Sequence, residues 1–422
     1  MLKKIQIEGL FNQFNYEIEF KKEGITILTG PNGYGKTTLL KIIYAFAVKN
    51  LFFFFQVPFK KIVLSYNRTK IELLKIEPDK LEIKSGNKRS IYKKNEIINE
   101  IKRLLENSSY AQIAEDRWLD GRTNIFYAIE NLLNQLIKNN PEFQAKLYSK
   151  SVPDIGEVYL IKEQRLIRRR SISRKRNTRY YFEEEMEESF ASTIEEYAKE
   201  LSKTIKDVLA RASIIGRQLD STFPKRLFNE TIELNEQEFN KRYNAIKDKQ
   251  KSLSLYGLSA TKEDSAPAFK KENAKALRVY LKDTEEKLVV FDDVLQKLEI
   301  FSTILKEKQF AFKQLEISPD FGFKFKTKNG KEFSLIELSS GEQQEVVLLY
   351  ELLFRVRPNT LVLIDEPEIS LHVVWQKEVL NDLLKILKLQ KITVIIATHS
   401  PQIIGEHWDL VVDLEDLSQN SK

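Results

Sequence analysis

The sequence contains no cysteine among its 422 residues. A disulfide framework and a thiolate metal site are therefore excluded, and the composition favours a cytoplasmic protein over a secreted one. No apolar run comes near the ~20 residues that a membrane helix needs, so no membrane partner is expected. The segment from Met1 to Leu10 has the pattern of an amphipathic strand and does not resemble a signal peptide.

Positive charge is in only slight excess over negative charge. Lysine and arginine outnumber aspartate and glutamate by 68 to 61, which gives a formal net charge of +7. This excess hints at an anionic partner, although a lysine-rich composition without meaning for binding explains it equally well. Because 42% of the residues are hydrophobic, the chain can bury a sizeable core in one large domain or two ordinary ones.

Short apolar runs alternate with helical ones at both ends of the chain, whereas the middle is charged and helical. This order predicts an α/β fold whose mixed or parallel sheet is interrupted by a helical insertion. The expected parts are an N-terminal half at residues 1–182, a helical and partly coiled-coil-like insertion at 183–309 and a C-terminal half at 310–422. Asn329-Gly330 predicts a β-hairpin turn in the C-terminal half.

Apolar residues in the middle segment recur at spacings of three and four, which predicts helices with one buried face. The first stripe predicts a helix of about 30 residues, which Thr222 to Pro224 is expected to interrupt. A projecting arm and a compact helical subdomain are both consistent with this pattern. The stripes consist of Phe190, Ile194, Tyr197, Leu201, Ile205, Val208, Ala212, Ile215 and Leu219, then Phe239, Tyr243, Ile246 and Leu253, then Leu277, Leu281, Leu288, Phe291, Leu295, Leu298 and Leu305.

A phosphate-binding loop is predicted near the N-terminus. The residues GPNGYGKT fit the pattern G-x-x-x-x-G-K-[ST], between an apolar strand at Ile25 to Leu28 and a helix at Thr38 to Ala47. In such a loop the backbone N–H groups surround the β-phosphate of ATP, the lysine reaches the β- and γ-oxygens and the threonine binds Mg²⁺. The candidate nucleotide contacts are Gly30, Pro31, Asn32, Gly33, Tyr34, Gly35, Lys36, Thr37 and Thr38, with Thr37 also a metal ligand.

Two carboxylates follow a second apolar strand, which runs from Leu361 to Ile364. A buried parallel strand delivers the residues at its C-terminal end to the site at that edge of the sheet. Asp365 is expected to support Mg²⁺, and Glu366 is expected to polarise the attacking water as a general base.

A second anion-binding turn is predicted at Ser339 to Glu342, ahead of another helix. Ser339 and the Gly341 amide can bind a phosphate at a helix N-terminus, although a serine N-cap explains the same residues. One triphosphate does not need two such turns. The economical explanation is that the second turn contacts ATP held by another copy of the chain.

A histidine follows a third apolar strand, which runs from Lys391 to Ala397. If this strand lies beside the one that carries Asp365, His399 points at the γ-phosphate and can hydrogen-bond to phosphate or water. A lone histidine after a strand is more often structural. The neighbouring motifs favour the catalytic interpretation here.

The four motifs together resemble those of ABC-type ATPases. GPNGYGKT, LSSGEQ, LIDEPEISLH and ATHS occur in the order of the Walker A, signature, Walker B with D-loop, and H-loop motifs. Ser340 in place of a signature glycine, and His372 in place of the D-loop aspartate, resemble the non-transporter branch of SMC-like, OLD-like and RecF-like ATPases. In overall character the sequence resembles the OLD-like group of ATPases in bacterial anti-phage systems, such as the AriA component of PARIS or the PtuA component of Septu.

The resemblance implies a P-loop ATPase head that sandwiches ATP and Mg²⁺ between two copies of itself, in a homodimer or a higher oligomer. It further implies that Gln164, after a strand at Val158 to Ile161, is the Q-loop residue near Mg²⁺ and the attacking water. Glu342 in the signature and Ser370 in the D-loop are implied nucleotide contacts.

A basic stretch adjoins Gln164 and carries eight lysines and arginines between Arg165 and Arg179. It could bind DNA or an acidic protein, and a solvated loop neutralised by the following glutamates is equally consistent.

Two functions are therefore weighed. The first is an ATP-driven sensor of an anti-phage system that controls a separately encoded effector, which is expected because residues after His399 leave no room for a nuclease domain. The second is a DNA-repair or chromosome-maintenance ATPase that clamps DNA. A transporter subunit is disfavoured by the long insertion.

Overall fold

The computed structural model describes residues 2–66, 69–106, 108–114, 117–121, 125–129, 132, 154–162, 193–232, 234–259, 269–308, 310, 313–369 and 371–419. Gln164, Ser370 and the basic stretch Arg165 to Arg179 lie outside these described residues.

The strands in the described ranges are β1 Leu2–Leu10, β2 Phe14–Glu19, β3 Ile25–Thr29, β4 Lys61–Tyr66, β5 Lys70–Glu77, β6 Lys80–Ser85, β7 Lys88–Lys93, β8 Tyr110–Ala114, β9 Arg117–Asp120, β10 Ile125–Ala128, β11 Val158–Ile161, β12 Lys313–Ser318, β13 Gly322–Thr327, β14 Glu332–Phe333, β15 Leu361–Asp365, β16 Thr393–Ala397 and β17 Val411–Asp413. The α-helices there are α1 Lys36–Ala47, α2 Leu51–Gln56, α3 Lys94–Leu105, α4 Thr193–Asn229, α5 Glu236–Ser254, α6 Ala274–Val289, α7 Asp292–Glu307, α8 Ser340–Tyr350, α9 Val373–Gln390, α10 Pro401–Ile404 and α11 Leu414–Gln419.

The chain divides into two compact units, Met1–Ser189 with Val356–Lys422 (unit 1) and Phe190–Arg355 (unit 2). Unit 2 is larger than the predicted insertion at 183–309, because it also contains β12 to β14 and the helix α8. The motif around Ser339 therefore lies in unit 2, whereas the phosphate loop and the residues after β15 and β16 lie in unit 1.

A parallel five-stranded sheet in unit 1 has the order β11-β15-β16-β3-β17. Its central strands β3 (ITILT) and β16 (TVIIA) are buried along their whole length, and their residues other than threonine are all apolar, as expected of strands covered on both faces. The register aligns Asp365 with Ala397, and Ala397 with Leu28. Because parallel strands end at the same edge, the loops after β3, β15 and β16 begin side by side.

The other sheets of unit 1 are antiparallel, and the largest of them packs against the parallel sheet and α1. A six-stranded antiparallel sheet of order β2-β1-β4-β5-β6-β7 shares one hydrophobic core with α1 and with buried residues of β3, β15 and β16. A smaller antiparallel sheet has the order β10-β9-β8. The α/β class with a parallel sheet and a helical insertion is confirmed, as are the strands expected at β3, β11, β15 and β16.

In unit 2 the long helix α4 contacts β13 and α6, and α5 packs on α6. The predicted interruption at Thr222 to Pro224 is wrong, because α4 continues through Pro224. The proline removes the N–H that the Asp220 carbonyl would accept in a regular helix. Contacts with α6 lie on both sides of it, because Lys287 donates to the Asp220 carboxylate at 2.7 Å and Arg226 donates to Asp283 at 2.8 Å. The Thr222 hydroxyl donates to the Gln218 carbonyl at 3.0 Å, and the Arg226 guanidinium donates to the Leu219 carbonyl at 2.5 Å.

Candidate nucleotide and metal site

The phosphate loop connects the end of β3 to the start of α1. Gly33 and Gly35 have φ angles of 89° and 88°, a region that other residues rarely adopt. A Cβ atom at Gly35 would also lie 3.1 Å from Leu10 Cδ2 and 3.2 Å from the Phe11 ring, whereas one at Gly33 would meet nothing within 4 Å. The backbone therefore curls at Gly33 and packs closely at Gly35, as a loop that presents its N–H groups to a phosphate requires.

Lys36 is the first residue of α1 and is only 5% exposed. Its ammonium group donates to the carbonyl of Gly30 at 2.8 Å and to that of Pro31 at 3.3 Å. The charge is thus held within the phosphate loop itself. Phosphate oxygens of a bound nucleotide can replace these carbonyl acceptors, so the position fits the predicted role.

Thr37 and Asp365 meet at the edge of the parallel sheet. The Thr37 hydroxyl donates to Asp365 Oδ1 at 2.9 Å, and Asp365 is 7% exposed. A hydroxyl and a carboxylate are oxygen ligands of the kind that Mg²⁺ prefers, and it is usually held by one or two carboxylates plus substrate phosphates. Of the three predicted metal ligands, Thr37 and Asp365 are described by the structure, and both fit a magnesium ion that is shared with the phosphates of ATP.

Glu366 adopts a φ of 45°, in the left-handed region, and its N–H donates to the Ala397 carbonyl at 2.9 Å. A residue other than glycine in this region costs about 1–3 kcal/mol, and such strain is concentrated at functional sites. Its carboxylate lies 3.4 Å from Nδ1 of His399. The predicted base and the predicted histidine are therefore neighbours.

Glu368 is a residue of this site that the sequence interpretation missed. It is 6% exposed, and its Oε1 atom lies 3.1 Å from Nδ1 of His399. Glu366, Glu368 and His399 each bring a polar atom within 4.8 Å of the others. The third acid in LIDEPE was the available signal, but only the paired strands show that it reaches His399.

The turn between β1 and β2 supports the phosphate loop from outside. The Tyr16 hydroxyl donates to the Tyr34 carbonyl at 2.8 Å, and the rings of Phe14 and Tyr34 lie 5.1 Å apart. Burial raises the pKa of the Tyr16 phenol, so this donor stays protonated at neutral pH. At the start of the phosphate loop, the hydroxyl of Thr29, the last residue of β3, donates to Asp413 at the end of β17 at 2.8 Å.

In unit 2 the predicted signature residues form the start of α8. Ser339 is the N-cap, and its hydroxyl accepts the N–H of Glu342 at 3.3 Å. The Glu342 carboxylate accepts the Ser339 N–H at 2.8 Å and the Lys313 ammonium at 2.7 Å. Ser339 and Glu342 thus form a capping box, with Gly341 buried in the first turn. Contact of these three residues with a nucleotide stays a prediction.

His372, which the resemblance places in the D-loop, is the N-cap of α9. Its Nδ1 accepts the N–H of Val374 at 3.4 Å.

Among the described residues, no helix is long and apolar enough to cross a membrane.

Residues 1–404 match a protein family described as "AAA ATPase domain". The chain belongs to this ATPase family. The membership confirms the expected P-loop ATPase and its enzyme class, with ATP as the nucleotide that such a family binds.

A stretch of 43 residues of this ATPase is 51% identical to the DNA double-strand break repair Rad50 ATPase of Methanopyrus kandleri. The stretch covers 10% of this chain and only 5% of that protein.

Among solved structures, this ATPase is similar to an SMC head bound to the C-terminal winged-helix domain of ScpA, at 11% identity and a TM-score of 0.40, covering 98% of this chain and 93% of the other. It is also similar to the SMC head domain from Thermotoga maritima, at 10% identity and a TM-score of 0.34, covering 98% and 94%.

Proposed function

We propose that this ATPase is a nucleotide-driven switch, in which two copies close around Mg²⁺-ATP and separate after hydrolysis. The observation that carries the proposal is the 2.9 Å contact between Thr37 and Asp365, which joins the phosphate loop to the strand end that also bears Glu366. Together with His399 on the next strand, these residues supply binding, metal and acid-base groups at one edge of one sheet.

The residues have distinct roles in this proposal. Lys36 and the loop N–H groups bind the phosphates, and Thr37 and Asp365 hold Mg²⁺, which neutralises phosphate charge when it is bound. Glu366 accepts a proton from the attacking water. His399 orients the water or the γ-phosphate from the neighbouring strand.

The second copy is proposed because Ser339 and Gly341 begin another helix whose N-terminus can bind an anion. Unit 1 already offers a complete phosphate loop, so one chain has two phosphate-binding turns for one nucleotide. In a symmetric dimer the second turn of each copy would contact the ATP of the other.

Mixing two inactive variants tests this arrangement. Lys36→Ala removes the phosphate-binding cation, and Ser339→Arg blocks the second turn. If sites are shared, about half of the dimers in an equimolar mixture are heterodimers, and each heterodimer has one intact site of two. The mixture should then recover about a quarter of the wild-type ATPase activity. Two affinity tags report whether heterodimers form. A mixture that forms heterodimers and stays inactive would contradict the shared site.

For the output of the switch, the proposed role is the sensor and ATPase component of a bacterial anti-phage system with a separately encoded effector. The sequences of the four motifs and the overall character of the chain, which resemble OLD-like ATPases of anti-phage systems, support it. If this is correct, the ATPase co-purifies with its effector when the neighbouring genes are expressed together. It should show no salt-sensitive affinity for duplex DNA.

The other candidate is a DNA-repair or chromosome-maintenance ATPase. The stretch of 43 residues that is 51% identical to a Rad50 ATPase specifically favours it. A DNA clamp should bind duplex DNA with an affinity that falls steeply with salt, because Lys and Arg release counterions from the phosphates. Neutralising Arg168, Arg169 and Arg170 should abolish that binding. DNA binding unaffected by this substitution would exclude the basic stretch as the clamp.

A further inference from the structure

Glu368 makes its side-chain contacts with the segment that carries His399. Its Oε1 atom accepts the hydroxyl of Thr398 at 2.6 Å and the backbone N–H of His399 at 2.9 Å, and it lies 3.1 Å from Nδ1 of the His399 ring. One carboxylate oxygen therefore holds both the backbone and the ring of the same histidine.

The position of Glu368 is costly for folding. The residue is 6% exposed, and its Oε2 atom is buried without a hydrogen-bond partner among the described residues. Burying a carboxylate destabilises a fold unless its charge is paired and its oxygens are hydrogen-bonded. A half-satisfied buried acid of this kind calls for an explanation other than stability.

Further contacts join the loop of Glu368 to the loop of His399. The Ser400 N–H donates to the Thr398 hydroxyl at 3.0 Å, and the Ser400 hydroxyl donates to Gln376 Oε1 at 2.9 Å. The amide nitrogen of Gln376 donates to the carbonyl of Leu371 at 3.1 Å. Gln376 thus links the loops after β15 and β16, and its amide also lies 3.4 Å from the Glu368 carbonyl, to which it donates.

We propose that Glu368 is a positioning residue for His399, which fixes the ring and keeps a proton on Nδ1. A carboxylate next to Nδ1 selects the tautomer in which this nitrogen carries the hydrogen. In the neutral ring the other nitrogen, Nε2, is then an acceptor. His399 therefore accepts a hydrogen bond from the attacking water through Nε2. The inference rests on the proposed function, because it assigns His399 its place in the same reaction.

Nitrogen NMR of histidine tests the tautomer without any need for activity. The sequence has three histidines, so ¹⁵N-histidine labelling gives few signals, and the His399→Ala variant identifies the signals of His399. The spectra are recorded at about pH 8.5, where an ordinary histidine is neutral because its pKa is about 6.5.

We expect a proton on Nδ1 of His399 in the wild type, and a clearly smaller fraction of this tautomer in Glu368→Ala, where only the Glu366 carboxylate at 3.4 Å remains beside Nδ1. A bare Nδ1 in the wild type, or the same fraction of this tautomer in both proteins, would overturn the inference. Because ATP turnover is not measured, a failure of the proposed switch mechanism does not affect this result.

A double-mutant cycle tests the consequence for turnover. Glu368→Ala should lower kcat by about tenfold or more, with little change in KM for ATP. In a His399→Ala background the same substitution should cost almost nothing further, because the two residues act as one unit. Glu368→Gln keeps an oxygen acceptor and should recover part of kcat.

A purely structural role predicts a different pattern. Glu368→Ala would then lower kcat equally in both backgrounds and lower the Tm to the same extent, which would refute the positioning role. A wild-type protein without measurable ATP hydrolysis would instead refute the proposed function, and the NMR comparison would still decide the position of the proton.

Discussion

The hydroxyl of Thr37 donates a hydrogen bond to Asp365 at 2.9 Å, although 328 residues separate them in the sequence. The contact exists because β3 and β15 lie in one parallel sheet with β16 between them. Strand pairing thus brings one metal ligand from each end of the chain to the same edge. Several expected outcomes depend on this arrangement.

The first concerns the metal ion. Thr37→Val removes the oxygen and should raise the Mg²⁺ concentration needed for half-maximal ATP hydrolysis about tenfold or more, within the range for groups that orient a metal. Thr37→Ser keeps the hydroxyl and should stay close to the wild type. Titration of Mg²⁺ after treatment with EDTA measures both variants. An unchanged Mg²⁺ requirement in Thr37→Val would rule out the assignment.

The second concerns nucleotide affinity. Lys36→Ala removes a cation that contacts phosphate, and a hydrogen bond to a charged group contributes about 1.5–3 kcal/mol. The Kd for ATP should therefore rise by a factor of about 10 to 150. Lys41→Ala is the matched control, because Lys41 is an exposed lysine of the same helix. Titration with a fluorescent ATP analogue compares them, and equal affinities would exclude Lys36 as the phosphate ligand.

The third concerns the general base. Glu366→Gln should lower kcat by about 10²- to 10⁴-fold and leave ATP binding intact, since a general base contributes to the reaction and not to affinity. The variant should accumulate as an ATP-loaded dimer, which light scattering detects. Glu406→Gln changes an exposed acid and should behave as the wild type. Hydrolysis at the normal rate in Glu366→Gln would show that another group is the base.

The fourth concerns the packing of unit 2. Gly322 has a φ of 76°, and a Cβ atom there would overlap the carbonyl oxygen of Ala198 in α4. Gly330 has a φ of 82° but open space around the same position. Both alanine variants carry the backbone cost of about 1–2 kcal/mol, and only Gly322→Ala adds the cost of overpacking. Thermal unfolding should show a clearly lower Tm for Gly322→Ala. Equal Tm values would mean that the contact with α4 yields without cost.

Local patterns were sufficient for the phosphate loop and the strands around it. Glycine spacing in GPNGYGKT, together with apolar strands that end in charged or polar residues, predicted β3, α1, β15 and β16 within a few residues. The same kind of reasoning failed at Pro224. A proline inside a periodic pattern predicts a break, and the contacts of Asp220 and Arg226 with α6 on either side of Pro224 are visible only in three dimensions.

By itself, the sequence determined that the chain has the chemistry of a phosphate loop, two acids and a histidine, because these signals lie within short segments. Only the tertiary structure decided that Thr37 meets Asp365 and that Glu368 holds His399, since those contacts depend on the order and register of parallel strands. Strand order is set by long-range packing of buried apolar surface, which no short pattern encodes.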